Sequence, residues 1–138
     1  MPIECKKMPR LTWLLAGAVS LTAGCSGVNW RRSLDSAMTE AAESRKRVLV
    51  EFHHALNDDC RKMDREVFTD PEVEDLLDRH FVPVRLDSVV HRERARQLGV
   101  QVYPTFFVLR PDGTVAGSRA GRLDTDRLRA FLIYHLYY

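Results

Sequence analysis

Cysteine is scarce in this chain, and the three that occur, Cys5, Cys25 and Cys60, follow no regular spacing. An odd, irregular set excludes a disulfide framework and the ligand spacing of a structural zinc site. Apolar runs are short too. The uncharged, Leu/Ala/Val-rich stretch over residues 11–24 falls below the roughly 20 residues a spanning helix requires. Neither sign of charge dominates, with 21 basic and 19 acidic residues and a net charge of +2. Residues 1–24 carry Lys6, Lys7, Arg10 and Glu4, so without them 18 residues of each sign remain and the balance is zero. Such a balance gives a nucleic-acid partner no support. Internal repeats and low-complexity segments are missing. What remains is an ordinary globular composition, 45% hydrophobic and 29% charged, in 138 residues, which is room for one domain.

The first 25 residues read as an address. Lys6, Lys7 and Arg10 precede the apolar stretch in the order of a secretory signal, and Met8 is an alternative start that leaves Arg10 as the positive region. The stretch closes on Leu21-Thr22-Ala23-Gly24-Cys25, which resembles the lipobox of bacterial lipoproteins, with Thr22 where that family more often has Leu. The resemblance implies cleavage after residue 24 and a diacylglycerol thioether on Cys25, anchoring the chain to a membrane. Ser26 follows Cys25 in place of Asp, which in Gram-negative lipoproteins implies the outer membrane, with the mature chain on its periplasmic face. Residues 25–32 read as the lipidated N-terminus and a tether, and residues 33–138 as the domain.

Within that domain Leu34, Ala37, Met38, Ala41 and Ala42 recur at helical spacing behind Ser33, a suitable N-cap, with Arg45, Lys46 and Arg47 at the negative end of the dipole. Residues 48–52 form an apolar, β-branched run that predicts a buried strand. A polar loop follows, then a helix capped by Asp58 or Asp59 with Met63, Val67 and Phe68 inside. Asp70-Pro71 restarts a helix that turns Val73, Leu76 and Leu77 inward. Residues 81–86 predict a second strand, and residues 92–98 a short helix that Gly99 ends in a left-handed conformation. Residues 105–109 and 115–118 predict two strands joined by the turn Pro111-Asp112-Gly113-Thr114. A last helix from Asp124 or Thr125 buries Leu128, Phe131, Leu132 and Leu136, with Tyr134, His135, Tyr137 and Tyr138 at its end. The expected fold is α/β, a mixed sheet of about four strands with helices on both faces.

Four anchors in order carry a family resemblance: the strand at 48–52, Cys60-Arg61-Lys62-Met63, Glu66-Val67-Phe68-Thr69-Asp70-Pro71-Glu72-Val73, and Val102-Tyr103-Pro104-Thr105-Phe106-Phe107-Val108. The chain resembles the thioredoxin superfamily, especially its small envelope domains, over nearly all of the mature sequence. That family's first cysteine stands five residues after the strand's aromatic and its second eight after. Counting from Phe52 places Asn57 and Cys60 there, so the C-x-x-C is degenerate and the attacking cysteine is absent; Leu56 likewise replaces the usual tryptophan. The first thiolate attacks a disulfide and the second resolves it, and an amide does neither. Dithiol turnover is disfavoured.

Three roles stay open for Cys60. It is a small buried apolar residue left from an active ancestor, a monothiol forming mixed disulfides in an oxidising compartment, or a metal ligand with His53, His54 or His91. The last is opposed by a spacing that matches no standard site and by adjacent strand residues pointing to opposite faces. The resemblance also implies a cis-proline at Pro104, with the backbone of Tyr103 pairing with an extended peptide. The leading expectation is a lipid-anchored binding or scaffold protein of the cell envelope whose partner is an envelope protein or peptide; the alternative is monothiol thiol-disulfide exchange through Cys60. No cofactor and no metal are implied.

Overall fold

The computed structural model describes residues 27–138. Cys5, Cys25 and the apolar leader lie outside the described residues. The order is α1 (Leu34–Ser44), β1 (Arg47–His53), α2 (Asp58–Glu66), α3 (Pro71–His80), β2 (Phe81–Asp87), α4 (Arg92–Gln97), β3 (Thr105–Leu109), β4 (Val115–Ala120) and α5 (Thr125–Tyr137). The strands form one sheet in the order β2-β1-β3-β4. β1 runs parallel to β2 and antiparallel to β3, which pairs antiparallel with β4. This is the mixed, doubly covered sheet that the alternation of apolar strands and amphipathic helices calls for.

Alternation along the strands divides the core. Leu49, Phe81, Phe106 and Val108 meet Met63 of α2, Phe68 in the turn after it, Val73 and Leu77 of α3, and Leu128 and Leu132 of α5. On the opposite face Val48, Val50, Phe52, Val84 and Phe107 meet Ala37 and Ala41 of α1 and Ala95 of α4. Alanines on α1 bring that helix close to the sheet, which is how eleven residues with modest apolar content still bury a face. Both faces of β1 are covered, so residues 48–52 read as an apolar run interrupted only at Glu51, which is fully buried.

Local signals mostly act where the sequence places them. Ser33 caps α1, Asp70 caps α3 through both Glu72 N and Val73 N with Pro71 in the first turn, and Asp124 caps α5. Gly99 takes φ +71° beyond α4. Three details differ. α1 stops at Ser44 because Arg45 adopts the left-handed conformation, φ 56°, and returns its N–H to Ala41 O, so Arg47 already belongs to β1. α2 is capped by Asn57, one residue before the expected aspartates, which instead occupy its first turn. The fourth strand extends to Ala120.

Residues 28–31, read as part of a tether, dock on the domain. Arg31 N donates to Pro83 O at 2.8 Å and Arg31 O accepts from Arg85 N at 2.9 Å, a single parallel bridge at the outer edge of β2. Trp30 sits edge-on to Phe68 with centroids 5.0 Å apart, and Arg31 pairs with Glu40 of α1 at 2.6 Å. No helix among the described residues is long and apolar enough to cross a membrane.

Candidate functional site

Strand registers set one end of the sheet as a meeting place. Phe52 pairs with Thr105 and His53 with Asp87, so the loops after β1 and β2 and the loop before β3 emerge together. The Tyr103–Pro104 peptide is cis, as expected, and Tyr103 lies against His54 with ring centroids 6.1 Å apart. The structure thus brings Asn57, Cys60, Tyr103 and Pro104 to the same end. Leu56 is 77% exposed at the tip of one loop, with Val89, Val90 and Val102 exposed on the others, so the rim is apolar. Asp87 accepts from Val89 N at 2.8 Å and Val90 N at 3.1 Å; these two backbone donors, Val90 first, hold its carboxyl below the usual range and fix the loop.

Asn57, which the count from Phe52 sets at the first-thiol position, has a structural task. Its Oδ1 accepts from Cys60 N at 3.0 Å, satisfying one of the free donors at the α2 N-terminus. Cys60 lies one turn in, fully buried, and is the only free cysteine among the described residues. A helix N-terminus ordinarily favours a thiolate at the cap position, but here an amide holds that position.

Behind Cys60 lies a charge network that the sequence reading did not anticipate. Period-two alternation points Glu51 and His53 to the same face, toward α2. Glu51 Oε1 lies 3.3 Å from His53 Nδ1, and Glu51 Oε2 accepts from Arg85 Nε at 2.7 Å across the β1–β2 ladder. The Arg85 guanidinium also donates to Asp64 of α2 and lies 4.4 Å from the Trp30 ring centroid, a cation–π contact that roofs the network. Hydrogen bonding to Cys60, and then to Glu51, pushes the His53 pKa up to about 9 against the opposing effects of burial and Arg85. His53 is therefore an imidazolium at neutral pH, between a buried carboxylate and a buried thiol.

Of the three histidines weighed as partners for Cys60, only His53 reaches it. His54 turns to Tyr103 and His91 precedes α4. Ligand atoms of Glu51, His53 and Cys60 lie within 4.8 Å of one another, close enough for three donors around one ion. Both Glu51 oxygens are already engaged, one by Arg85 and one by His53, and the adjacent guanidinium disfavours a cation. The network is complete as a set of protein-only pairs. Chemically it can hold or relay a proton at Cys60, but it offers no second thiol among the described residues. A carboxylate inside an apolar strand and an arginine in its neighbour were the visible signals; the pairing itself needed the β1–β2 register.

A family profile of thioredoxin-like proteins matches residues 29–111. Among solved structures the chain is similar to a thioredoxin from Thermus thermophilus, with TM-score 0.71 and 26% identity over 78% of this chain and 86% of that one. It is also similar to a putative disulphide-isomerase from Bacteroides thetaiotaomicron, with TM-score 0.70 and 25% identity over 80% and 94%. The C-terminal domain of Neisseria meningitidis DsbD in its oxidised form shares the fold, with TM-score 0.61 and 22% identity over 78% and 97%. A search of curated protein sequences finds no match. Sheet order, the cis peptide before β3 and the matched profile agree: the chain belongs to the thioredoxin-like family.

Proposed function

We propose that this protein is a redox-degenerate thioredoxin-fold protein of the cell envelope, anchored by lipid on Cys25, that binds an extended segment of a protein partner. The observation carrying this reading is the Asn57–Cys60 pair: the position of the attacking thiol is occupied by a helix-capping amide, and the remaining thiol is fully buried. The partner would lie across the apolar rim of Leu56, Val89, Val90 and Val102, with backbone pairing at Tyr103. Purified protein should fail to catalyse insulin disulfide reduction. It should bind extended peptides with an affinity that Leu56→Asp and Val102→Asp each lower. Turnover at the rate of a dithiol thioredoxin refutes the proposal. Mass spectrometry of the mature N-terminus tests the anchor, since a diacylglyceryl Cys25 is expected.

The imidazolium of His53 beside Cys60 favours a second reading, monothiol exchange with an external thiol as resolver. That reading requires Cys60 to become accessible in the folded protein. Alkylation of Cys60 under native conditions at a rate well above that of global unfolding would support it, and protection until denaturation would eliminate it.

A further inference from the structure

A second cluster lies on the face covered by α5, away from the cysteine. Arg47 opens β1 and Arg110 follows β3, adjacent because Val48 pairs with Leu109. Arg119 of β4 pairs with Phe106, which places its side chain on the α5 face, and Gly117 pairs with Val108 on the same face. His135 of α5 lies directly on Gly117: a Cβ at that position would stand 2.3 Å from the imidazole. Phe131 and Tyr134 hold the ring edge-on at centroid distances of 4.8 and 4.9 Å. Glycine on this strand therefore makes room for the imidazole.

The charged side chains that act on His135 are all basic. Burial first, and then the fields of Arg47, Arg119 and Arg110, hold the His135 pKa below its usual value. Arg47 Nη1 and His135 Nδ1 are buried without a hydrogen-bond partner among the described residues. Arg110 uses one nitrogen on Thr114 Oγ1 and Val115 O, neither of them charged. Beside the cluster an open groove of about 600 Å³ runs between β4 and α5, lined by Arg119, Arg127, Leu123, Phe131, Tyr134 and His135, with no carboxylate in its lining. Like charges gathered around unsatisfied buried nitrogens cost free energy unless an anion completes them. Guanidinium groups suit tetrahedral oxyanions, to which they donate in pairs.

We propose that this corner binds a phosphate ester, its phosphate seated among Arg47, Arg110, Arg119 and His135 and its apolar portion lying in the groove on Leu123, Phe131 and Tyr134. The site is separate from the loops around Cys60 and does not depend on the function proposed for them. A free phosphate ester and a phospholipid headgroup share this chemistry.

The test is an NMR titration of the His135 ring in low-chloride buffer, with phenyl phosphate in one arm and monomeric dihexanoyl phosphatidylglycerol in the other. Saturable shifts of His135 are expected, with its titration midpoint rising by about one pH unit as the anion offsets the arginine field. Arg119→Ala should weaken binding about tenfold, as expected for loss of one charge-assisted pair, and Arg47→Gln should act in the same direction. Response to phenyl phosphate alone identifies a free ester, and response to the phospholipid identifies a headgroup. Silence in both arms at millimolar probe, or equal affinity in Arg119→Ala with the His135 midpoint unmoved, overturns the proposal.

Discussion

Replacing His53 with glutamine should flatten the dependence of stability on pH between neutral and alkaline conditions. His53 is held at about 9 in the folded protein against 6.5 for an ordinary histidine, chiefly by hydrogen bonds to Cys60 and Glu51. A base whose folded pKa is raised stabilises the fold fully below the unfolded value, and that contribution fades as pH climbs through the folded value. The window thus opens near 6.5 and closes above about 9. The gap between the two values corresponds to about 3 kcal/mol, with little loss to solvent screening because the His53 side chain is only 11% exposed. Urea unfolding at half-unit steps from pH 6 to 9.5 should give a wild-type curve that loses roughly this amount more than His53→Gln across the range. Cys60→Ser weakens the leading hydrogen bond, so its loss should begin at the same pH, which the unfolded histidine sets, but end at lower pH and be smaller than that of the wild type. Parallel curves for wild type and His53→Gln, or a His53 NMR midpoint near 6.5, would show that Cys60 and Glu51 do not hold the imidazolium in the fold.

Arg85→Met removes the guanidinium shared by Glu51 and Asp64 while keeping much of the bulk under Trp30, and should destabilise by about 3 kcal/mol because a buried carboxylate loses its partner; denaturant midpoints with unchanged slope check it. Asn57→Ala deletes the α2 cap and should cost about 1 kcal/mol, read the same way, without exposing Cys60 to alkylation. Phe52→Ala opens a cavity beside Phe107 in a fully buried site and should cost about 3–5 kcal/mol, seen as a lowered Tm in calorimetry.

The fold was legible because its signals are local and repeated. Helical spacing marked α1 and α5, apolar runs marked β1 and β3, and Asp70-Pro71 marked a helix start, each acting within one or two turns of chain. Asn57 was read as standing at the position of the first thiol but not as the cap, because Asn57, Asp58 and Asp59 are equally good capping residues in succession and only the backbone decides which lies outside the helix. Trp30 and Arg31 were hidden for a different reason: one bridge at a sheet edge has no periodicity to read. The network behind Cys60 depends on contacts between residues 34 apart, Glu51 with Arg85, which the parallel register creates, and 21 apart, Arg85 with Asp64, which the packing of α2 on the sheet creates. Glu51 was the available clue, since a carboxylate in the middle of a doubly covered strand requires a buried partner. The reading of that strand as simply apolar passed over it.

In the proposed function, Asn57 in place of the attacking thiol is what removes dithiol turnover. Insulin reduction measured side by side for the wild type, Asn57→Cys, and Asn57→Cys combined with Cys60→Ser tests it most directly. The wild type should show no turnover, Asn57→Cys measurable turnover together with an internal disulfide, and the double variant loss of both. Wild-type turnover that disappears in Cys60→Ser would contradict it.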